Sequence, residues 1–490
     1  MTTQVLIVGA GPVGLMLACE LRRAGARVVI AERLPAPMRE SRASLLNTCT
    51  AELLHARGFD SLLDPAQREM RTHFAGLPID LSGTPSDYAG NFKMPQYVTE
   101  QVLGDAATRA GVTLLRSHEL SEIRETGDRV ACVLDGPAGR SVLEAEYLVG
   151  CDGAASTVRR LAGFTAAQRS ATRELLRADV LGADIPDRRF ERLEGGFAVA
   201  STRLGVTRVM LHVRGQDPLR RVNRPEFPEV ARSWRKVTGE DISHGEAIWI
   251  DSFDNSHGQA DCYRRGRVLI AGDAAHWHMP IGGQALNVGL SDAVNLGWKL
   301  AAAVTGRAPS GLLDTYNSER HAAAARVIGY VAAQETLQLG GTDVEPMRHV
   351  LSELLALERV QELLGRFCAG LDDRYGAGGD DDGLAGRHMA CLRLGGAPGV
   401  MPPELLTGAP AGVLVRFTDP ARDDPGGRTV SLANGAPLRI VELAPGPLLE
   451  GVTSVLLRPD AHIAWAGSDE RQLSDAVSRW FGAPLPDGHP

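Results

Sequence analysis

Gln4-Val5-Leu6-Ile7-Val8-Gly9-Ala10-Gly11-Pro12-Val13-Gly14, near the start of the chain, sets the architecture of the whole molecule. Gln4–Val8 is a short apolar run ending in glycine, the pattern of a strand buried on both faces of a parallel sheet. From Pro12 to Ala24, Leu15, Ala18, Cys19 and Leu21 recur at helical spacing, and Gly25 suits the residue that ends a helix. Arg27–Ala31 is a second, β-branched strand, so a complete βαβ unit fits within the first 32 residues. In the G-x-G-x-x-G segment, Gly9 permits a tight turn, Gly11 admits a pyrophosphate to the backbone, and Gly14 lets helix and strand pack closely. Pro12 and Val13 open a helix whose free N–H groups and positive dipole end attract phosphate. Glu32 comes 18 residues after Gly14, where a carboxylate accepts the ribose hydroxyls. The pattern predicts dinucleotide binding and does not separate NAD from FAD.

Two later segments separate them. Cys151-Asp152-Gly153-Ala154-Ala155-Ser156-Thr157-Val158-Arg159 and Arg267-Val268-Leu269-Ile270-Ala271-Gly272-Asp273-Ala274-Ala275-His276 each place an Asp beside a Gly where a buried strand ends. Side chains at such ends face the ligand crevice. A carboxylate there suits a ribityl chain, which needs acceptors, and suits a phosphate poorly. Nicotinamide dinucleotides have no ribityl chain. Asp152 has a second reading as an N-cap. Pro280-Ile281-Gly282-Gly283-Gln284-Ala285-Leu286-Asn287 then leads into a long helix. Its unpaired N–H groups are suited to the electron-rich N1–C2=O2 edge of an isoalloxazine.

Outward from these motifs, Leu45–Gly58 and Glu100–Gly111 read as helices, and Thr113–Leu115, Val130–Leu134 and Tyr147–Val149 as strands. Between Leu175 and Ser252 strand-like runs dominate, as in an antiparallel sheet inserted into an α/β domain. Leu286–Val304, Ala322–Leu339 and Arg348–Phe367 read as helices. Gly376–Gly383 is the best linker, and strand-like pieces come after it at Val413–Phe417, Leu438–Val441, Ser454–Leu457 and His462–Trp465. The chain has 490 residues and a net charge of −8 without a basic cluster, which argues against a nucleic-acid partner. Seven scattered cysteines without CxxC argue against a disulfide framework or zinc site, and no metal is expected. With no signal peptide or bilayer-length apolar run, the reading is a cytoplasmic protein without a membrane partner.

The three motifs, in this order and spacing, resemble the group A flavoprotein monooxygenases with the p-hydroxybenzoate hydroxylase-like fold. Gly370-Leu371, Arg374-Tyr375 and Val455-Leu456-Leu457-Arg458-Pro459-Asp460 with Ala464-Trp465 are similar to the end of the aromatic polyketide hydroxylase and phenol hydroxylase branch. The resemblance implies an α/β fold: a Rossmann-like FAD-binding domain, an inserted antiparallel-sheet substrate domain, and a small C-terminal thioredoxin-like domain without CxxC. The corresponding boundaries are 1–175 (with 71–95 contributing to the substrate domain), 176–262, 263–375 and 384–490. By resemblance, Gly9, Gly11, Pro12, Val13 and Gly14 hold the FAD pyrophosphate, Glu32 the ribose, and Arg33 lies beside adenine. Arg42 and Gln96 match polar positions near the phosphates and ribityl chain, and Leu120 a backbone contact to adenine. Asp273 matches the ribityl ligand, Asp152 and Arg159 a motif tied to FAD and NAD(P)H, and Pro280 and Gly283, Gln284, Ala285, Leu286 and Asn287 the loop beside the flavin. Two departures stand out. Ala285 and Leu286 replace a usual Gly-Met, and Cys49 stands where the branch commonly has arginine.

The implied activity is hydroxylation of a polycyclic, polyketide-type aromatic by an FAD-dependent monooxygenase. NADPH or NADH and O2 are consumed through a flavin C4a-hydroperoxide, and the cofactor carries the hard chemistry. The protein has to exclude water and place the ring. Candidates to line the pocket are His212, Trp249 and Trp277, with Tyr263, His276 and His278; the sequence singles out no catalytic residue. Baeyer–Villiger or ring-opening oxygenation, oxidative inactivation of an aromatic antibiotic, and a flavin-binding redox sensor or scaffold are the competing readings. The absence of Trp-x-Trp-x-Ile-Pro disfavours a halogenase. Monomer and homodimer both stay open.

Overall fold

The structure is a computed structural model describing residues 2–38, 43–203, 205–219, 221, 223–376, 383–391, 393–394, 399–400, 403–407, 412–418, 424–443 and 451–484. Five parallel strands form the first sheet in the order Val268–Ile270, Gly139–Gly150, Thr2–Val8, Val28–Glu32, Thr113–Arg116. Glu119–Thr126 and Arg129–Gly136 extend Gly139–Gly150 as antiparallel partners. Val5, Leu6 and Ile7 are fully buried because both faces of the sheet are covered, which is why the strand carries no polar alternation. Two glycines bring helix Gln284–Val304 close to helix Pro12–Arg23: a Cβ on Gly297 would lie 2.5 Å from Glu20 Cβ, and one on Gly289 2.7 Å from Val13 Cγ2.

A second sheet is wholly antiparallel, in the order Arg188–Leu193, Gly196–Arg203, Val206–Val213, Glu174–Leu181, Glu246–Asp254. Its strands alternate as a period of two demands. Leu176, Ala178, Val180, Ala198, Val209 and Leu211 face helix Phe227–Thr238 through Val230, Trp234 and Val237. Leu175 and Phe197 face the other way and share a core with Met279, Ile281 and Val288, which flank the start of helix Gln284–Val304. The hairpin of Arg71–Phe74 and Leu77–Asp80 inserts Phe74 and Ile79 into that same core.

The C-terminal unit is a mixed sheet in the order Asp424–Ser431, Pro437–Leu443, Gly412–Phe417, Ser454–Leu457, Ile463–Gly467, closed by helix Glu470–Phe481. Pro437–Leu443 and Gly412–Phe417 run parallel, and the remaining pairs are antiparallel. This is the thioredoxin-like arrangement, and it contains no CxxC.

Three elements differ from the sequence reading. Leu45–Gly58 is not one helix: Leu45–Leu46 pairs with Phe92–Lys93, and Asn47 caps a shorter helix, Thr48–His55, by accepting the Thr50 N–H. Arg348–Phe367 is two helices, Glu345–Leu354 and Glu358–Ala369. Helix Phe227–Thr238 lies inside the stretch read as strands. Most of the expected linker Gly376–Gly383 lies outside the described residues. Among the described residues no helix is long and apolar enough to cross a membrane.

A buried ionic cluster joins the C-terminal unit to the long helices. Arg458 donates to both Glu319 oxygens at 2.7 Å each and also pairs with Asp460. Lys299 donates to Glu319 at 2.6 Å, and Asn295 bridges Glu319 and Asp460. Burial would raise the Glu319 carboxyl; Arg458 and Lys299 outweigh it and hold it well below the usual range. Burial pulls the Lys299 ammonium down to about 8. Removing one partner of such a cluster leaves buried charge uncompensated, a cost of about 3–5 kcal/mol. Glu319→Ala is therefore expected to lower unfolding stability by about 3 kcal/mol or more in urea titration; a loss under about 1 kcal/mol, the range of exposed ion pairs, would contradict this linkage.

Candidate active site

The carboxyl ends of three adjacent parallel strands meet at one point, where Val8, Gly150 and Ile270 end and Gly9, Cys151 and Ala271 begin. Backbone bonds lock the ends together: the Cys151 N–H donates to Val8 O at 2.8 Å, Gly9 N–H to Ala31 O at 2.8 Å, and Ala271 N–H to Gly150 O at 2.9 Å. A Cβ on Gly9, whose φ is +105°, would lie 2.3 Å from Cys151 O, and one on Gly14 2.1 Å from Gly9 O. Gly11 is different: a Cβ there would meet nothing within 4 Å. Two glycines thus serve packing, and the third leaves room for a group approaching the helix N-terminus, where Gly11 is the cap and Pro12 the first residue.

Glu32 is anchored beside this loop. One of its oxygens accepts the Ala10 N–H at 2.7 Å and the other the Leu34 N–H at 2.8 Å. Arg33 is exposed next to it. Gln96 opens a helix, accepts the Ala43 N–H at 3.2 Å and donates to Glu100 at 2.8 Å. Leu120 is buried in its hairpin, so only its backbone is available to a ligand. Arg42 lies outside the described residues.

The two aspartates play different parts. Asp152 accepts the Ser156 hydroxyl at 2.5 Å and the Val158 N–H at 3.0 Å, so it caps helix Thr157–Leu161 from within its own segment. Asp273 is exposed in the short helical turn Gly272–Ala274. Arg159 ties the two segments together by donating to Ala274 O at 2.8 Å and Ala154 O at 2.5 Å. Val13 ties in the first: its side chain would lie 3.0 Å from a Cβ on Gly272 and 2.7 Å from one on Gly289. All three motifs therefore meet at the carboxyl ends of the three strands, the candidate ligand groove.

Beyond the turn, Pro280 is exposed, and Gly282 and Gly283 take left-handed conformations (φ +70° and +68°). Helix Gln284–Val304 then begins with no side chain capping it, so its first amides, with Ala285 and Leu286 half-buried, face outward. Gln284 is buried, its amide 3.4 Å from Gly282 O. The Asn287 side chain is spent on structure: it accepts the Asn47 N–H at 2.9 Å and donates to Leu45 O and Gly283 O.

Behind the turn lies a buried relay. Asp292 accepts the Gly272 N–H at 2.9 Å, contacts His276 Nε2 at 2.7 Å, and accepts from Arg320 at 2.7 Å. Burial would raise Asp292, but His276 and Arg320 hold it below the usual carboxylate range. Arg320 continues to Asp373 and the Tyr375 hydroxyl, each at 2.7 Å. His276 and Tyr263, whose hydroxyl accepts from Gln259, are thereby core residues. His278 is half-buried, with Nδ1 on Met279 O at 2.9 Å; burial pulls it down to about 4.

Three rows of side chains cross the antiparallel sheet on the face turned to this loop. Strand register sets Phe197 opposite His212 and Leu175 opposite Phe253; then Val199, Met210, Arg177 and Asp251; then Ser201, Arg208, Asp179 and Trp249. His212 is buried, its Nδ1 at 2.9 Å from Glu174 O, and burial lowers its pKa. His212 and Trp249 thus share one wall. Trp277 does not join them: it pairs with Gly258 on a separate small sheet, with the Arg159 guanidinium 4.5 Å from its ring. Arg177, Arg208, Asp179 and Asp251 escaped the sequence reading, although they alternate with apolar residues, a sign that they face away from the sheet's own core.

The groove fits FAD. It offers an open approach at Gly11, the anchored carboxylate of Glu32, the exposed carboxylate of Asp273, and uncapped helix amides at Gly283–Leu286. The FAD binding domain family matches residues 2–330, and the family described as aromatic-ring hydroxylase, C-terminal, matches residues 382–484. The chain is 34% identical to 12-dehydrotetracycline 5-monooxygenase/anhydrotetracycline 6-monooxygenase of Streptomyces rimosus, over 99% of this chain and 100% of that protein. It is 35% identical to rifampicin monooxygenase of Streptomyces venezuelae, over 98% of each. The solved structure of an aromatic hydroxylase from angucycline biosynthesis superposes with a TM-score of 0.88 at 39% identity, over 99% of this chain and 100% of that one.

Gly11→Val is expected to fold, because its side chain meets open space, and to weaken FAD binding at least tenfold; Gly14→Val is expected to disrupt the fold. Circular dichroism and FAD titration separate the two, and undiminished FAD affinity in Gly11→Val would contradict the groove. A second expectation concerns acid. His388 is buried and neutral, pulled down from 6.5 to about 3 by burial. Acid therefore protonates the unfolded chain first, and stability present above about 6.5 is lost as pH falls toward 3. His388 alone contributes about 2 kcal/mol of this loss at pH 5. The Tm should fall between pH 7.5 and pH 5, and His388→Gln should flatten that fall; an unchanged slope would contradict it.

Proposed function

The chain belongs to the FAD-dependent aromatic-ring monooxygenases, and we propose that the ring it oxidises is part of a polycyclic, polyketide-type aromatic. Bound FAD supplies the redox chemistry, taking electrons from a reduced nicotinamide and activating O2. The protein's own contributions are to hold FAD, exclude water and orient the ring. Gly11, Pro12 and the helix amides behind them would take the pyrophosphate, Glu32 the ribose, and Asp273 the ribityl hydroxyls. The amides of Gly283–Leu286 would stabilise negative charge at the N1–C2=O2 edge. Ala285 follows the left-handed Gly282–Gly283 turn as a helical residue, where alanine is stiffer than glycine.

The observation that carries the substrate class is the length of the wall. From the Phe197 row to the Trp249 row spans four residues along a strand, about 13 Å by strand rise. A fused multi-ring skeleton spans that length and a single ring does not. One end of the wall, through Leu175 and Phe197, shares a core with Met279 and Ile281 beside the flavin loop. A ring seated beside that buried end, against Val199 and Met210, would lie near the bound flavin while the rest of the skeleton runs toward Trp249. The relatives' names, a tetracycline-series monooxygenase, a rifampicin monooxygenase and an angucycline hydroxylase, point the same way.

The test is NADPH oxidation by the FAD-loaded protein against a panel of linear and angular polycyclic phenols and single-ring phenols. Polycyclic compounds should stimulate oxidation at least tenfold over the basal rate and yield an oxygenated product by mass. Stimulation by single-ring phenols alone would contradict the reading.

A further inference from the structure

The outermost row of the wall contains a hydrogen-bond donor with nothing to donate to. The indole Nε1 of Trp249 is buried and makes no hydrogen bond among the described residues. A buried N–H left unpaired is costly, and such a group asks for a missing partner. Its surroundings define what that partner is. The Arg177 guanidinium lies 4.6 Å from the Trp249 ring centroid and that of Arg208 5.5 Å. Arg208 is held by Asp179 through two bonds of 2.7 Å, and Arg177 by Asp251 at 3.2 Å. Each cation is thus paired with a carboxylate, and the indole N–H beside them meets no acceptor. With the two guanidiniums balanced by two carboxylates, the partner the N–H calls for is an acceptor oxygen on the ligand. The row is also reachable: the Arg208 side chain is 35% exposed, whereas Phe197 at the other end is 1% exposed.

We propose that Trp249 is a specificity-determining residue whose indole N–H donates to an oxygen acceptor, a quinone carbonyl or phenolate, on the part of the polycyclic substrate farthest from the flavin loop. This rests on the polycyclic reading above and adds to it that the substrate bears oxygen at its remote end.

The test compares wild-type and Trp249→Phe protein, both FAD-loaded, binding anthraquinone and phenanthrene. The first carries ring carbonyls and the second is a three-ring hydrocarbon without oxygen; binding is monitored by perturbation of the flavin spectrum. Phenylalanine keeps an aromatic face beside both guanidiniums, removes the N–H and shrinks the ring; phenanthrene reports the loss of ring area alone. Anthraquinone affinity should fall at least fivefold in Trp249→Phe, with phenanthrene, where it binds, within twofold of wild type. An equal loss for both ligands, or no loss for anthraquinone, overturns the proposal. So does a Trp249→Phe protein that no longer retains FAD, because Trp249 would then be packing. Wild-type protein that binds phenanthrene and not anthraquinone overturns the proposal and leaves the polycyclic reading standing. Wild-type protein that binds neither overturns both.

Discussion

Backbone packed directly on backbone at the ends of three parallel strands is the constraint on which the rest of the molecule depends. Gly9 lies so close to Cys151 that no side chain fits between them, and Gly14 so close to Gly9 that the first helix is pulled onto the sheet. Val13 is in turn clasped by Gly272 and Gly289. Segments more than a hundred residues apart in sequence are thereby drawn to one groove. The free helix amides and carboxylates that line it are useful because the steric fit leaves them facing outward.

A second, charged layer stiffens this groove from behind. Asp292 holds the Gly272 amide, His276 and Arg320 at once, and Arg320 reaches Asp373 and Tyr375 near the C-terminal unit. The neighbouring cluster around Glu319 and Arg458 binds the thioredoxin-like unit to the same two helices. Buried ion pairs add little net stability over apolar packing, and their value here is positional. They fix the turn bearing Asp273 to the two long helices behind it. The C-terminal unit is thus joined to the same helices that hold the turn.

Much of this is legible in the sequence, and the limits have physical causes. The first βαβ unit, the Gly-rich loop, Glu32 and Asp273 are local: their spacing and their place at strand ends carry the information. Leu45–Leu46 reads as helix and is strand because it pairs with Phe92–Lys93, a partner far along the chain that overrides the local helical pattern. Helix Phe227–Thr238 is hidden among strands, although Val230, Trp234 and Val237 keep helical spacing. Asp292 and Arg320 give no signal, since each lies within a different helix and their meeting is purely tertiary. Trp277 carries the right chemistry for a pocket residue and sits on another sheet, which no spacing rule foretells. Arg177 and Asp179 are readable through their alternation with Leu176, Ala178 and Val180, once the apolar face of that strand is assigned to the sheet's own core.

An FAD groove joined to an aromatic wall is tested most directly by where the oxygen goes. The FAD-loaded protein is turned over with NADPH and a polycyclic phenol under 18O2, and the product and water are analysed by mass spectrometry. The account predicts one 18O atom in the aromatic product and the other in water. A product without label, or electrons recovered only as hydrogen peroxide with every polycyclic substrate, would contradict it.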